Sequence, residues 1–170
     1  MKEYVKVVLY AYPILKKMGE EYGVHISNRA LLSYKSAKPT EELVEYIAKE
    51  IICKQRLEWL TKFLEGVMDK LDETEKTLLH IRYFSASRNR KNYGAQKENA
   101  EIFSGIAAWS DSTYFRRQSR LAEKFETMLK SAGLSEEIFE KDFAFIDIFQ
   151  CVRRFLAQGG DNRLRQKERV

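Results

Sequence analysis

A chain of 170 residues, 44% hydrophobic and 32% charged, is long enough for one compact domain or a small domain with a helical extension. Eight glycines, two prolines and no stretch dominated by Val, Ile or Thr exclude a sheet-rich composition and favour an all-α fold. The net charge of +5 lies in one place: residues 1–81 carry 13 basic and 13 acidic residues and 131–170 carry 7 and 7, whereas 82–130 carry 10 and 5.

That basic stretch points to an anionic partner. The two cysteines, Cys53 and Cys151, each sit within an apolar helical pattern. They are too few for a disulfide scaffold and suit buried thiols in a reducing cytosol, so a cytoplasmic location is expected. With only His25 and His80 beside them, no zinc site or other cofactor is expected.

The first predicted helix covers residues 3–22, with Val5, Val8, Leu9, Tyr12 and Leu15 at helical spacing and Pro13 as a point where it kinks or splits. Val7 to Leu15 is apolar enough to imitate a signal-peptide core. It is followed by Lys16-Lys17 and lacks a small-x-small cleavage site, so it reads as a core helix. No run reaches the roughly 18 apolar residues of a membrane span.

Asn28 to Tyr34 is expected to form a short second helix, and Lys38-Pro39-Thr40 is a break. Thr40 is the expected N-cap of a long helix to about residue 70, with Glu41 and Glu42 in its first turn. The stripe Leu43, Ile47, Ile51, Leu57, Leu60, Leu64, Val67 and Leu71 is a packing face, within the chain or against a second copy as a homodimer.

Asp72 starts a further helix, with Leu78, Leu79, Ile81, Tyr83 and Phe84 available for burial. Residues 85–99 are polar and aperiodic and read as a loop. Asn99 to Trp109 reads as a short helix. The next begins after Ser110, runs to about Ser131, and ends at Gly133 with Leu134 supplying the hydrophobic contact of the cap. Ser135 caps one last helix, expected to bury Ile138, Phe139, Phe143, Ile146, Phe149, Val152 and Phe155 and to pack back on the preceding region. Gly159-Gly160 ends it, before a disordered tail over 159–170.

The informative segment is Ser110 to Leu129. At about 100° per residue, Thr113, Arg116, Arg117, Arg120 and Lys124 share one face, while Tyr114, Gln118, Leu121, Phe125 and Leu129 share another. A helix divided in this way packs on a scaffold and lays its cationic side in a major groove. Arginine donates two parallel hydrogen bonds to a guanine edge or clamps a phosphate. Thr113, Arg116 and Arg117 are therefore the base-contact candidates, and Ser112, Arg120 and Lys124 the phosphate candidates. Arg88, Arg90 and Lys91 in the loop add phosphate contacts or remain an ordinary solvated loop. Three arginines on a helix face are also the usual composition of a solvated surface.

Leu71-Asp72-Glu73-Thr74-Glu75-Lys76 with Leu78-Leu79 and Arg82-Tyr83-Phe84 resembles the opening helix of region 4 in sigma-70-like transcription factors. Glu101-Ile102, Ser110 to Arg117 and Leu121-Ala122-Glu123-Lys124-Phe125 are similar to the scaffold and recognition helices of that region. The pattern also resembles phage late-gene transcription regulators and small sigma-like Firmicute proteins. It implies a helix-turn-helix binding double-stranded promoter DNA, with RNA polymerase as a further partner. In the family the link between the first two helices is shorter than residues 85–99, and a glycine commonly stands where this chain has Ala107-Ala108-Trp109. The segment that melts the −10 element has no counterpart here.

The domain organisation expected is a helical N-terminal region (1–70), a helix-turn-helix (71–131), a C-terminal helix (132–158) and the tail. The function expected is sequence-specific DNA binding in transcription regulation. The alternative is a protein-interaction module using the same fold to bind RNA polymerase or another transcription partner without touching DNA. There is no HExxH, glycine-rich phosphate loop or GxSxG to suggest an enzyme.

Overall fold

The computed structural model describes residues 1–33, 40–84 and 109–158, and all regular structure among them is helical. Helix α1 spans Glu3–Ser33, α2 Thr40–Met68 and α3 Glu73–Leu79, the last running into a π turn at His80–Phe84. After these come α4 (Asp111–Ser131), α5 (Glu136–Asp142) and α6 (Asp147–Ala157). No helix among the described residues is long and apolar enough to cross a membrane.

Two compact units divide the chain: Met1–Tyr10 with Glu65–Ser135, and Ala11–Leu64 with the chain from Glu136 on. The C-terminal helices α5 and α6 belong to the same unit as α1 from Ala11 on and α2 to Leu64.

In the first unit, Tyr4, Val8 and Leu9 of α1 are buried, as are Leu78 and Leu79 of α3 and Phe125 and Leu129 of α4. Asp72 opens α3 through a reciprocal capping box. Its Oδ1 accepts from the Glu75 N–H at 2.8 Å, and Glu75 Oε2 accepts from the Asp72 N–H at 3.2 Å. The π turn inserts one residue into the helical repeat, and its Tyr83 is buried edge-on against Tyr10, ring centroids 5.1 Å apart. Helix α4 closes as its sequence predicts. Gly133 has φ +105, its N–H donates to the Lys130 carbonyl, and the Leu134 N–H donates to the Leu129 carbonyl at 2.8 Å. That pair is a Schellman motif, and Leu134 is fully buried beneath it. Tyr4 donates its hydroxyl to the Leu134 carbonyl at 3.4 Å.

The second unit is built on aromatic packing. Phe139, Phe143 and Phe149 are buried against one another, and Trp59 stacks on Phe63 and Phe143 at 4.9 and 5.7 Å. Arg56 pairs with the Asp142 carboxylate at 3.1 Å, and Arg153 pairs with Glu140.

Several expectations need correction, among them that of two buried thiols, since Cys151 is exposed while Cys53 is buried. Helix α1 neither splits at Pro13 nor yields to a separate helix over Asn28–Tyr34; it is continuous to Ser33. Pro13 removes one backbone donor, but Val7, Val8, Leu9, Ala11 and Leu15 are buried on either side and hold the helix together. Further on, Ser27 returns its hydroxyl to the Gly23 carbonyl at 3.0 Å, a bond made within a helix, not a cap that opens one.

Thr40 is the first helical residue of α2, one position later than a cap.

In the α2 stripe, Leu57, Leu60, Leu64 and Val67 are buried, but Leu43 and Ile47 are half-buried and Ile51 is exposed. Each step of four residues overshoots a full turn by about 40°, so that run walks off the core face, and Glu50 and Cys53 occupy the buried positions.

The single C-terminal helix is two, broken between Phe143 and Ile146. In one straight helix, Phe139 and Phe143 would lie roughly opposite Val152. The corner resets the phase, so Phe139, Phe143, Ile146, Phe149 and Val152 are all buried, while Ile138 is exposed and Phe155 half-buried.

Candidate nucleic-acid interface

Helix α4 begins where its sequence predicts. Ser110 has extended backbone angles (φ −67, ψ 154), and its Oγ accepts from the Thr113 N–H at 3.4 Å. The Ser112 and Thr113 hydroxyls lie 3.1 and 3.0 Å from the same oxygen. Ser112 is exposed. Thr113 is half-buried and committed to the cap.

The inner face of the helix is Gln118, Leu121, Phe125 and Leu129, all buried. Gln118 is the only polar member among these. Its Nε2 donates to the Leu78 carbonyl at 3.0 Å and to the Tyr114 hydroxyl at 3.2 Å, tying α4 to the end of α3. A buried amide with partners on a second helix fixes both the height and the rotation of α4. Opposite it, Arg116, Arg117 and Arg120 are exposed.

The cations on that outer face are not equivalent. The Arg117 guanidinium sits over the Trp109 ring, 4.0 Å from its centroid. This contact holds the side chain in place, and among the described residues no carboxylate takes the edges of the fork. No carboxylate among the described residues pairs with Arg116 or Arg120. Lys124 differs, because its Nζ donates to both oxygens of Glu75 at 2.7 Å, so its charge is compensated within the fold. Near the helix end, Glu126 accepts from Lys130 at 2.8 Å and from the Lys2 N–H at 3.0 Å. Lys130 is the main reason its carboxyl lies below the usual carboxylate range.

Arg88, Arg90 and Lys91 lie outside the described residues, and so does the expected scaffold helix before Trp109. Two participants escape a reading of the sequence. Trp109 has no motif that marks it as a seat for Arg117. Glu75 looks like a first-turn acid, and only folding brings it to a lysine 49 positions away.

The remaining ionisable cluster is in the second unit. Burial pushes the Tyr22 hydroxyl up to about 12 and raises the thiol of Cys53 as well. A thiol shifted upward is a poor nucleophile near neutral pH. Among the described residues no group of His, Cys, Asp and Glu is arranged to hold a metal.

The chain matches no protein-family model, no curated protein and no solved structure. The likeness to sigma region 4 therefore stands on the residues quoted above.

Proposed function

We propose that the chain is a sequence-specific, duplex DNA-binding transcription regulator of the cytoplasm, with α4 as its reading helix. The supporting observation is the division of α4: a buried inner face pinned by Gln118 and an outer face on which Arg116, Arg117 and Arg120 are exposed. A helix-turn-helix presents the first turns of its second helix to base edges, and Arg116 and Arg117 lie there. Arg117, seated on Trp109, loses less conformational freedom on engaging a guanine than a free side chain does. Arg120 and Ser112 flank it as phosphate contacts, the latter in the first turn, where the helix dipole favours an anion.

Duplex titration by fluorescence anisotropy tests the proposal. Micromolar affinity for random duplex in low salt, falling steeply as salt rises, is the expected result. In a binding-site selection, Arg116→Ala and Arg117→Ala change the preferred sequence, whereas Arg120→Ala weakens all sequences alike. No shift of any duplex at micromolar protein overturns the reading.

One observation favours the protein-interaction alternative. Phe115 is exposed beside the arginines, and a surface aromatic next to Arg is the usual make-up of a protein hot spot. In that case the same face meets an acidic surface on RNA polymerase or another transcription partner, and Phe115→Ala abolishes the contact.

A further inference from the structure

Helix α2 is apolar on two sides. One side carries the buried Cys53, Leu57, Leu60 and Leu64. Roughly opposite it on the helix wheel, a second stripe faces outward: Val44, Ile51, Ile52 and Trp59 are 60%, 38%, 44% and 49% exposed, with Ala48 and Gln55 exposed between them. Trp59 is already oriented, its ring stacked on Phe63 and Phe143 while half of the residue stays exposed. Exposing four large apolar residues in one helical line is unusual for a face that meets only water.

The order of residues along this stripe identifies what covers it. About a point between Ile51 and Ile52 the pattern mirrors itself: Ile51 with Ile52, Ala48 with Gln55, Val44 with Trp59, and at the ends Glu41 with Lys62. A two-fold interface brings each position opposite its mirror position on the other copy. The small Val44 then receives the large Trp59, Ala48 gives room to Gln55, and acid meets base at both ends.

We infer that this outer face of α2 binds a second copy of the chain, with the two α2 helices antiparallel about a two-fold axis between Ile51 and Ile52. The inference stands on α2 alone and is independent of DNA binding. Glu41 to Lys62 spans roughly 32 Å of helix. One helix face of that length covers well under the ~800 Å² per partner of a standard stable interface. The pairing is accordingly weak, with a dissociation constant of roughly 10 to 100 µM.

Sedimentation equilibrium of the full chain over a concentration series tests it, with circular dichroism to verify that each variant is folded. The expected result is reversible dimer formation in that range. Ile52→Lys, at an exposed position, weakens it at least roughly tenfold. Glu41→Lys and Lys62→Glu each weaken it several-fold, and the double variant recovers most of the loss because the swapped charges still meet. A monomer at every concentration, a dimer indifferent to Ile52→Lys, or a double variant no better than its parents overturns the inference.

Discussion

Lys124 donates to both carboxylate oxygens of Glu75 at 2.7 Å, and the same Glu75 closes the capping box of α3 through the Asp72 N–H. One carboxylate thus serves two elements, starting α3 and holding the lysine that leads away from the outer face of α4. The phosphate role expected of Lys124 then competes with an internal partner at every encounter with an anion.

Replacing Glu75 with Gln separates these roles. Glutamine still reaches back to the Asp72 N–H, so α3 keeps its start. Lys124 loses its compensating charge. On the DNA-binding reading, random-duplex affinity rises several-fold and the salt slope steepens by about one counterion. The Lys124 side chain is 47% exposed, so the stability lost with the pair is less than about 1 kcal/mol. Anisotropy titrations at three salt concentrations measure the slope. An unchanged slope means that Lys124 takes no phosphate even when freed.

Gln118 carries a prediction that does not depend on DNA. The residue is 6% exposed, and its amide donates to the Leu78 carbonyl. Gln118→Leu keeps the bulk and deletes the donor, costing about 1–2 kcal/mol in urea unfolding. Gln118→Glu sets a buried carboxylate against that carbonyl and costs more, about 2 kcal/mol or above. Ser119→Ala, one residue on and exposed, stays within about 0.5 kcal/mol. Equal effects at 118 and 119 would show that the amide does not fix α4.

The inner and outer faces of α4, its Ser110 start and its Gly133 end were all legible in the sequence. Each rests on local rules: a 3.6-residue period, a capping hydroxyl, and a glycine followed by an apolar residue. The errors elsewhere came from what local rules omit. Pro13 is a local penalty that the buried residues on either side of it outweigh, and α1 runs on unbroken through residues 28–33, which local spacing sets apart as a short second helix. The corner at Phe143–Ile146 followed from the need to keep five apolar residues in phase with one core, a demand that no single window of sequence states. Within the site, the arginines were visible as a pattern. Their partners were not, since the seating of Arg117 on Trp109 and the capture of Lys124 by Glu75 are products of packing.

Two glycines predict opposite outcomes for the same substitution. Gly133 holds φ +105, and an added Cβ meets nothing within 4 Å, so Gly133→Ala suffers from backbone strain alone, about 1 kcal/mol. Gly66 lies inside α2 with equally open space around it, and Gly66→Ala gains about 0.5–1 kcal/mol from helix propensity. Thermal melts of the two variants should bracket that of the parent, and a stabilised Gly133→Ala would contradict the left-handed cap.

Glu126 predicts a pH dependence. Lys130 and the Lys2 N–H favour its charged form and lower its pKa in the folded chain. A carboxyl depressed on folding contributes stability that is complete above its ordinary value of 4.5 and is lost as the pH falls through the folded value. The parent therefore loses stability through this group as the pH falls below its ordinary value of 4.5. Glu126→Gln has nothing to protonate. It is less stable than the parent at neutral pH by roughly 1 kcal/mol, and the gap closes as the acid limb is descended. Melting temperatures of both chains at half-unit pH steps measure the gap. Curves that stay parallel down to pH 3 would mean that Glu126 gains nothing from its partners, and the start of α1 would be held to the end of α4 by other contacts, the Tyr4 bond to the Leu134 carbonyl and the burial of Tyr4 and Leu129 among them.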